Sequence, residues 1–142
     1  MKTRNIASCL GVLSACLAIS SPAVAEDNCS GYSIEVGKAI VNISDDPTLP
    51  MHLASAQCAP TGASSNKCTY KDKDGDGWTT ASEWTGIGLE GKWRFVSGTG
   101  KHAKSTGDHG WFKRARTMFP PRGDAVLITA WGGYCTLVAE KE

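Results

Sequence analysis

Beyond residue 25, apolar and polar residues alternate over short runs and never recur at the spacing of three and four residues that a helix needs. Residues 92–96 alternate cleanly, and clusters of Gly, Pro, Asn and Asp separate one run from the next. The pattern predicts a polar loop at 60–66 and about eight strands. The candidate segments are 33–36, 39–43, 51–58, 67–71, 78–84, 92–96, 110–119, 125–131 and 134–139.

Short strands at this spacing are typical of an all-β barrel or sandwich. We favour an antiparallel barrel of about eight strands, because closure removes the exposed sheet edges that invite aggregation. No linker or repeat divides the chain. Residues 26–142 are therefore expected to form a single domain.

The first 25 residues have the order of parts found in a secretory signal peptide. Lys2 and Arg4 come first, an apolar run follows at residues 6–19, and small residues lead to a cleavage position after Ala25. An alternative is a lipoprotein signal that ends at Cys16, although the apolar run continues past that cysteine. The segment favours a periplasmic or secreted protein.

Cysteine usage agrees with that compartment. Of six cysteines, two lie in the predicted signal, and the remaining 117 residues contain four. An even number in an oxidising compartment predicts two disulfides, and three pairings are possible. We favour Cys58–Cys68, which would join neighbouring strands, and Cys29–Cys135, which would tie the two ends of the domain. No C-x-x-C spacing indicates thiol chemistry or a metal cluster.

The balance of basic and acidic residues argues against nucleic acid as a partner. The chain has 15 basic and 14 acidic residues, which is too balanced for the broad positive field of a nucleic-acid-binding protein. Outside the first segment, no apolar run is long enough for a transmembrane helix. Charges are nevertheless segregated locally. An acidic loop at 72–83 is followed by a basic segment that contains Lys101, Lys104, Lys113, Arg114 and Arg116.

The acidic loop matches the ligand spacing of a calcium loop. Oxygen ligands would come from the side chains of Asp72, Asp74, Asp76 and Glu83 and from the carbonyl of Trp78. The flanking residues are β-prone rather than helical, so an EF-hand is not expected. Two alternatives remain: a calcium site without helices, and a tight hairpin whose Asp and Gly residues serve the turn.

Five tryptophans are many for a domain of this size. They could either fill the barrel or line an apolar pocket for a small ligand. Glu35 could point inward as an acid or base, whereas His52, His102 and His109 are expected to be solvated. The candidate pocket residues are Trp78, Trp84, Trp93, Phe95, Trp111, Trp131 and Tyr134.

A second motif is the strand Lys-Trp-Arg-Phe-Val at 92–96, followed by Ser-Gly-Thr-Gly-Lys at 97–101 and by Thr106-Gly107. Together with the hairpin that runs from Cys68 to Asp76, it resembles the allene oxide cyclase and dirigent-like barrel group. The resemblance implies an eight-stranded antiparallel barrel in which the acidic loop is a hairpin tip. No catalytic residue of that group can be matched here.

These observations favour a binding or accessory protein for a small apolar or aromatic ligand, because no nucleophile–base pair stands out. One alternative is a barrel enzyme of the cyclase or isomerase type. Another is a structural or interaction domain that calcium stabilises. The barrel interior discriminates among them, since solid packing with tryptophan would leave no room for a ligand.

Overall fold

The computed structural model describes residues 26–85 and 89–139, so the predicted signal peptide lies outside the described residues. A 3-10 helix at Gly100–Lys104 precedes β7, and a single α-helical turn, α1, spans Thr136–Ala139. The strands are β1 (Cys29–Val36), β2 (Ala39–Ser44), β3 (Ala54–Gly62), β4 (Ser65–Lys71), β5 (Gly77–Thr85), β6 (Glu90–Gly98), β7 (His109–Met118) and β8 (Val126–Tyr134).

The eight strands form a closed antiparallel barrel in chain order, and β1 pairs with β8 to complete it. The predicted fold class is confirmed. Alternate residues of each strand point inward, as the period of two requires. None of the helices in the described ranges has the length and apolar character of a membrane span.

Several strand ends differ from the sequence-based prediction by one to four residues, and two predicted segments differ in kind. The expected loop at 60–66 is a tight turn, because β3 continues through an irregularity at Pro60 and Gly62, and β4 begins at Ser65. The last predicted strand, 134–139, is wrong. Its apolar residues form α1, whose first residue is held by Asp108 through hydrogen bonds from the Thr136 backbone and hydroxyl.

Both predicted disulfides are present. Cys58 and Cys68 face each other in the register of β3 and β4, and Cys29 is joined to Cys135 across 106 residues of sequence. The second bond ties the start of β1 to the segment after β8, where the barrel closes. Two disulfides are consistent with an extracellular or periplasmic protein.

The two ends of the barrel differ. At one, here called the closed end, buried Leu49 and Met51 from the β2–β3 connection pack with the Cys29–Cys135 disulfide. At the other, here called the mouth, Glu35 is partly exposed and Cys58 is exposed, although both line the interior. In the described part of the chain, the interior is therefore sealed at the closed end and accessible at the mouth.

Candidate functional site: the barrel cavity

The barrel interior contains a cavity of about 150 Å³. Inward residues of all eight strands contribute to its wall, together with residues of the 3-10 helix region. The barrel is therefore not packed solid by its tryptophans. The cavity has two chemically different sides.

One side is an aromatic wall on β4, β5 and β6. The rings of Tyr70 and Trp78 stack with centroids 4.8 Å apart, and the Trp93 indole donates a hydrogen bond to the Gly132 carbonyl at 3.2 Å. Aromatic side chains held this way offer a large apolar surface at little entropic cost. The members of this wall are Tyr70, Trp78, Trp84, Trp93 and Phe95.

The facing side carries a polar row across β7, β8, β1 and β2. Arg114 pairs in register with Thr129, Thr129 with Ser33, and Ser33 with Asn42. Arg114 Nε donates to Thr129 Oγ1 at 3.1 Å, and the Ser33 hydroxyl donates to Asn42 Oδ1 at 3.1 Å. The Asn42 amide also donates to the Met51 carbonyl at 3.1 Å. The register thus places four polar side chains at one level of the cavity.

Below this row, toward the closed end, Phe112 and Trp131 form an apolar floor. They are partners in the register of β7 and β8, and each is at most 8% exposed. Two residues along a strand correspond to about 7 Å, so the floor lies about that far below Arg114 and Thr129. From mouth to floor, the cavity wall changes from polar to aromatic.

Glu35 lies on β1, two residues nearer the mouth than Ser33, and lines the cavity. Within residues 26–85 and 89–139, its carboxylate has no hydrogen bond or ion pair. Deeper in the barrel, burial raises the pKa of the Tyr70 phenol, although the nearby Thr80 hydroxyl opposes that shift. Tyr70 is therefore a neutral group, and Glu35 is an inward carboxylate without a partner in the described part of the chain.

Five of the seven predicted pocket residues line the cavity: Trp78, Trp84, Trp93, Phe95 and Trp131. The other two were wrongly assigned. Trp111 follows an inward glycine by one position, so it points outward, is 42% exposed and donates to Asp27 at 2.8 Å. Tyr134 has the opposite parity to Trp131 and stacks on His109 with ring centroids 6.1 Å apart.

Phe112, Arg114 and the polar row escaped the sequence-based prediction. The alternation along β7 contains the signal, because residues of even number from Gly110 to Arg114 share one face, before the irregularity between Arg114 and Arg116 changes the parity. That signal selects Phe112 and Arg114 only when the inward face is known. Sequence alone did not fix this choice, since Trp111 looked the better candidate for burial.

The acidic loop is the tip of the β4–β5 hairpin, and its three aspartates surround a lysine of the β6–β7 connection. Lys101 Nζ lies 3.1 Å from Asp72, 2.6 Å from Asp74 and 3.7 Å from Asp76. His102 Nε2 lies 3.0 Å from Asp72 Oδ2, the same carboxylate oxygen that Lys101 contacts. We call these five residues the aspartate–lysine cluster. The ammonium group provides the positive charge that the spacing had assigned to calcium.

Glu83 does not join this cluster, so its prediction as a fifth ligand is wrong. It lies six residues along β5 from Gly77, about 20 Å of extended strand, and pairs in register with Lys92. The side chain of Trp78 turns into the barrel instead of flanking the loop. Among the described residues, no group of three or more His, Cys, Asp or Glu side chains has the arrangement of a metal site.

Contacts within the cluster shift the pKa values of two of its members. Burial alone would raise the pKa of Asp72, whose side chain is fully buried, but hydrogen bonds from His102 and Lys101 outweigh it and hold that pKa below its ordinary value. The hydrogen bond to Asp74 is the largest cause that raises the pKa of Lys101. His102 is only 2% exposed, so its expected solvation is wrong. Within the cluster, the Lys101 ammonium group contacts all three carboxylates, and His102 is hydrogen-bonded to Asp72.

The glycine loop makes this cluster possible. Gly100 has a φ of +54°, and a Cβ there would lie 2.1 Å from Asp76 Oδ1. Thr99 N donates to the Gly77 carbonyl at 2.8 Å, and Gly77 N donates to the Thr99 hydroxyl at 2.9 Å. The two motifs of the sequence therefore form one structure, which joins the β4–β5 tip to the β6–β7 connection.

This arrangement also corrects the predicted basic segment. Lys101 is used by the acidic loop, and Arg114 points into the barrel. The remaining basic side chains do not continue as one patch through these two positions.

Comparisons of the chain with protein-family models, with curated proteins and with solved structures found no match. The resemblance to the allene oxide cyclase and dirigent-like group stays a prediction.

Proposed function

We propose that this protein binds a small apolar or aromatic molecule inside the barrel, in a compartment outside the cytoplasm. The observation that carries the proposal is the cavity itself, which lies between an aromatic wall and a polar row and opens at the mouth. Pockets that recognise small molecules combine an apolar lining with a few placed polar groups in this way.

Cavity volume limits the ligand. Sites for drug-sized molecules span about 300–1,000 Å³, whereas a cavity of about 150 Å³ accommodates benzene. The 150 Å³ found here therefore suits a molecule built on a single ring. A long-chain or polycyclic ligand would have to extend out through the mouth.

Rigidity supports binding over mere incomplete packing. The wall belongs to a closed barrel with two disulfides, so the cavity is formed before a ligand arrives. A ligand that enters a preformed site avoids the entropic cost of ordering it. The two disulfides also support the secreted or periplasmic location in this proposal, because disulfides persist in oxidising compartments.

Benzyl alcohol is a suitable neutral probe, and titration calorimetry together with tryptophan fluorescence would detect its binding. We expect a single saturable site and a fluorescence change, because three wall residues are tryptophans. Ser82→Leu fills the cavity from β5 and should abolish the signal. Ala81→Leu places the same side chain on the outer face of that strand and serves as the matched control. Equal binding by both variants would disprove the location.

A second candidate is an isomerase, which the inward Glu35 favours. A carboxylate in an apolar cavity can remove a proton next to a carbonyl group. Incubating 2-cyclohexenone with the protein in D₂O would test this by mass spectrometry. Faster deuterium incorporation that Glu35→Gln eliminates would support catalysis. Equal incorporation by the wild type and the variant would support a binding function without catalysis.

A further inference from the structure

We propose that the cavity selects ring compounds that carry a carboxylate, and that Arg114 is the residue that binds this group. The inference rests on the proposed function and adds the charge of the ligand. Its basis is the inventory of hydrogen-bonding groups that face the cavity.

Arg114 is the single Arg or Lys side chain among the described residues that line the cavity. Its Nε–H is used by Thr129 Oγ1, which fixes the plane of the guanidinium. The terminal nitrogens make no hydrogen bond or ion pair with the described residues. An arginine keeps its charge at any physiological pH, and its paired N–H groups match the two oxygens of a carboxylate.

Most acceptors on the cavity wall are already used within the protein. Asp108 accepts from the Thr136 backbone at 2.8 Å and from the Thr136 hydroxyl at 2.6 Å. Asn42 Oδ1 accepts from Ser33. The charged acceptors that remain are Glu35 and the Oδ2 atom of Asp108, because both hydrogen bonds from Thr136 go to Oδ1. Asp108 precedes β7 at the closed end, and neither carboxylate lies within 4.0 Å of Arg114. The unused groups at the level of the polar row are thus mainly donors, so a complementary ligand contributes acceptors.

Position along the barrel agrees with this assignment. Arg114 lies two residues above Phe112, and Thr129 lies two residues above Trp131. A ring that rests on Phe112 and Trp131 would therefore direct a substituent toward the polar row, about 7 Å higher. The aromatic wall would contact the face of the same ring. A single aromatic carboxylate would therefore contact the floor, the aromatic wall and the polar row at the same time.

The test compares three probes of similar size: benzoate, benzyl alcohol and benzylamine. For the wild-type protein at neutral pH and low salt, we expect benzoate to bind about tenfold to a hundredfold more tightly than benzyl alcohol, the range of a charge-assisted hydrogen-bonded pair. Benzylamine should bind most weakly, because its ammonium group would meet Arg114. Calorimetry gives all three affinities.

Arg114→Gln should remove the preference for benzoate, so that the ratio of benzoate affinity to benzyl alcohol affinity in this variant falls to about one. Arg114→Lys keeps the charge without the paired geometry, so we expect an intermediate preference, and it provides a second variant in case the glutamine variant does not fold. Glu35→Gln should strengthen benzoate binding, because it removes a like charge near the site. The two glutamine variants therefore move benzoate affinity in opposite directions.

The outcomes are separable. If the wild-type protein binds benzyl alcohol as tightly as benzoate, the inference about charge is wrong and the proposed function stands. If benzylamine binds most tightly, Glu35 rather than Arg114 selects the ligand, which also overturns the inference. If none of the probes binds, the proposed function itself fails.

Discussion

Two groups of charged side chains lie at opposite ends of the barrel and are treated differently by the fold. At the closed end, Lys101 and His102 pair with Asp72 and its neighbours through contacts of 2.6–3.7 Å. At the mouth, Arg114 and Glu35 both line the cavity, yet no ion pair joins either of them to the described residues. The first group satisfies itself within the chain, whereas the second is available to a partner from outside.

The difference indicates which group is structural and which is functional. A buried charge is tolerated when neighbours pair with it, and removing one partner then leaves the other uncompensated. A half-buried charge without a partner stabilises nothing within the fold, and such charges are concentrated in binding sites. The predictions below test this contrast between the aspartate–lysine cluster and the mouth.

The largest effect is expected for Asp72→Ala. It removes the fully buried carboxylate that His102 and Lys101 contact, and we expect a loss of about 3 kcal/mol in the free energy of unfolding. Denaturant unfolding measures this value. Lys73→Ala changes an exposed residue of the same turn and should cost about 0.5 kcal/mol or less. Similar losses in the two variants would contradict a structural role for the cluster.

Lowering the pH should remove the contribution that the Asp72 carboxylate makes to the free energy of unfolding. Because the folded-state pKa of Asp72 lies below its ordinary value, its contribution is fully present above the pKa of the unfolded chain, about 4. The contribution is lost as pH falls through the folded-state pKa. We therefore expect the stability difference between the wild type and Asp72→Asn to shrink below about pH 4. A difference that stays constant between neutral and acid pH would show that proton uptake by Asp72 is not involved.

A smaller effect is expected from calcium, which tests whether Lys101 takes the place of a metal ion among the three aspartates. In the wild type, millimolar calcium must compete with the Lys101 ammonium for the three aspartates. Lys101→Met removes that competitor, so we expect calcium to raise the thermal midpoint of the variant more than that of the wild type. Chelator provides the reference state. A larger shift in the wild type would favour the calcium hypothesis in its original form.

Sequence patterning indicated an all-β barrel or sandwich, because the period of two and the turn residues are local properties, and closure and the resemblance favoured the barrel. Four cysteines in residues 26–142 predicted two disulfides with three possible pairings, and the favoured pairing placed Cys58 and Cys68 on neighbouring strands. The partners of the acidic loop did not follow, since Lys101 comes from another hairpin and is 27 residues from Asp74 in sequence. The spacing of acidic residues within the loop at 72–83 indicated a site for a cation. It did not indicate that the ammonium group of Lys101 lies there.

The inward face of β7 was missed for a similar reason. Trp111 and Phe112 are adjacent, and either could have been buried from composition alone. The register with β8 decides between them, because Trp111 lies over Gly132, where a Cβ would come within 2.7 Å of its ring. That choice also determines that Arg114 points inward. The inward direction of Arg114, the candidate binding residue, therefore follows from the inward packing of Phe112, two positions earlier in β7.

The smallest effects on stability are expected at the mouth. Arg114→Gln loses the hydrogen bond to Thr129 but also removes the cost of keeping an unpaired guanidinium half-buried, so we expect a net change below about 1 kcal/mol. Glu35→Gln should change the free energy of unfolding by about 0.5 kcal/mol or less, because its carboxylate has no partner in the described part of the chain. Denaturant unfolding of these variants beside Asp72→Ala gives the comparison directly. A loss of about 3 kcal/mol for Arg114→Gln would make Arg114 a structural residue like Asp72, and the distinction between the two ends of the barrel would then fail.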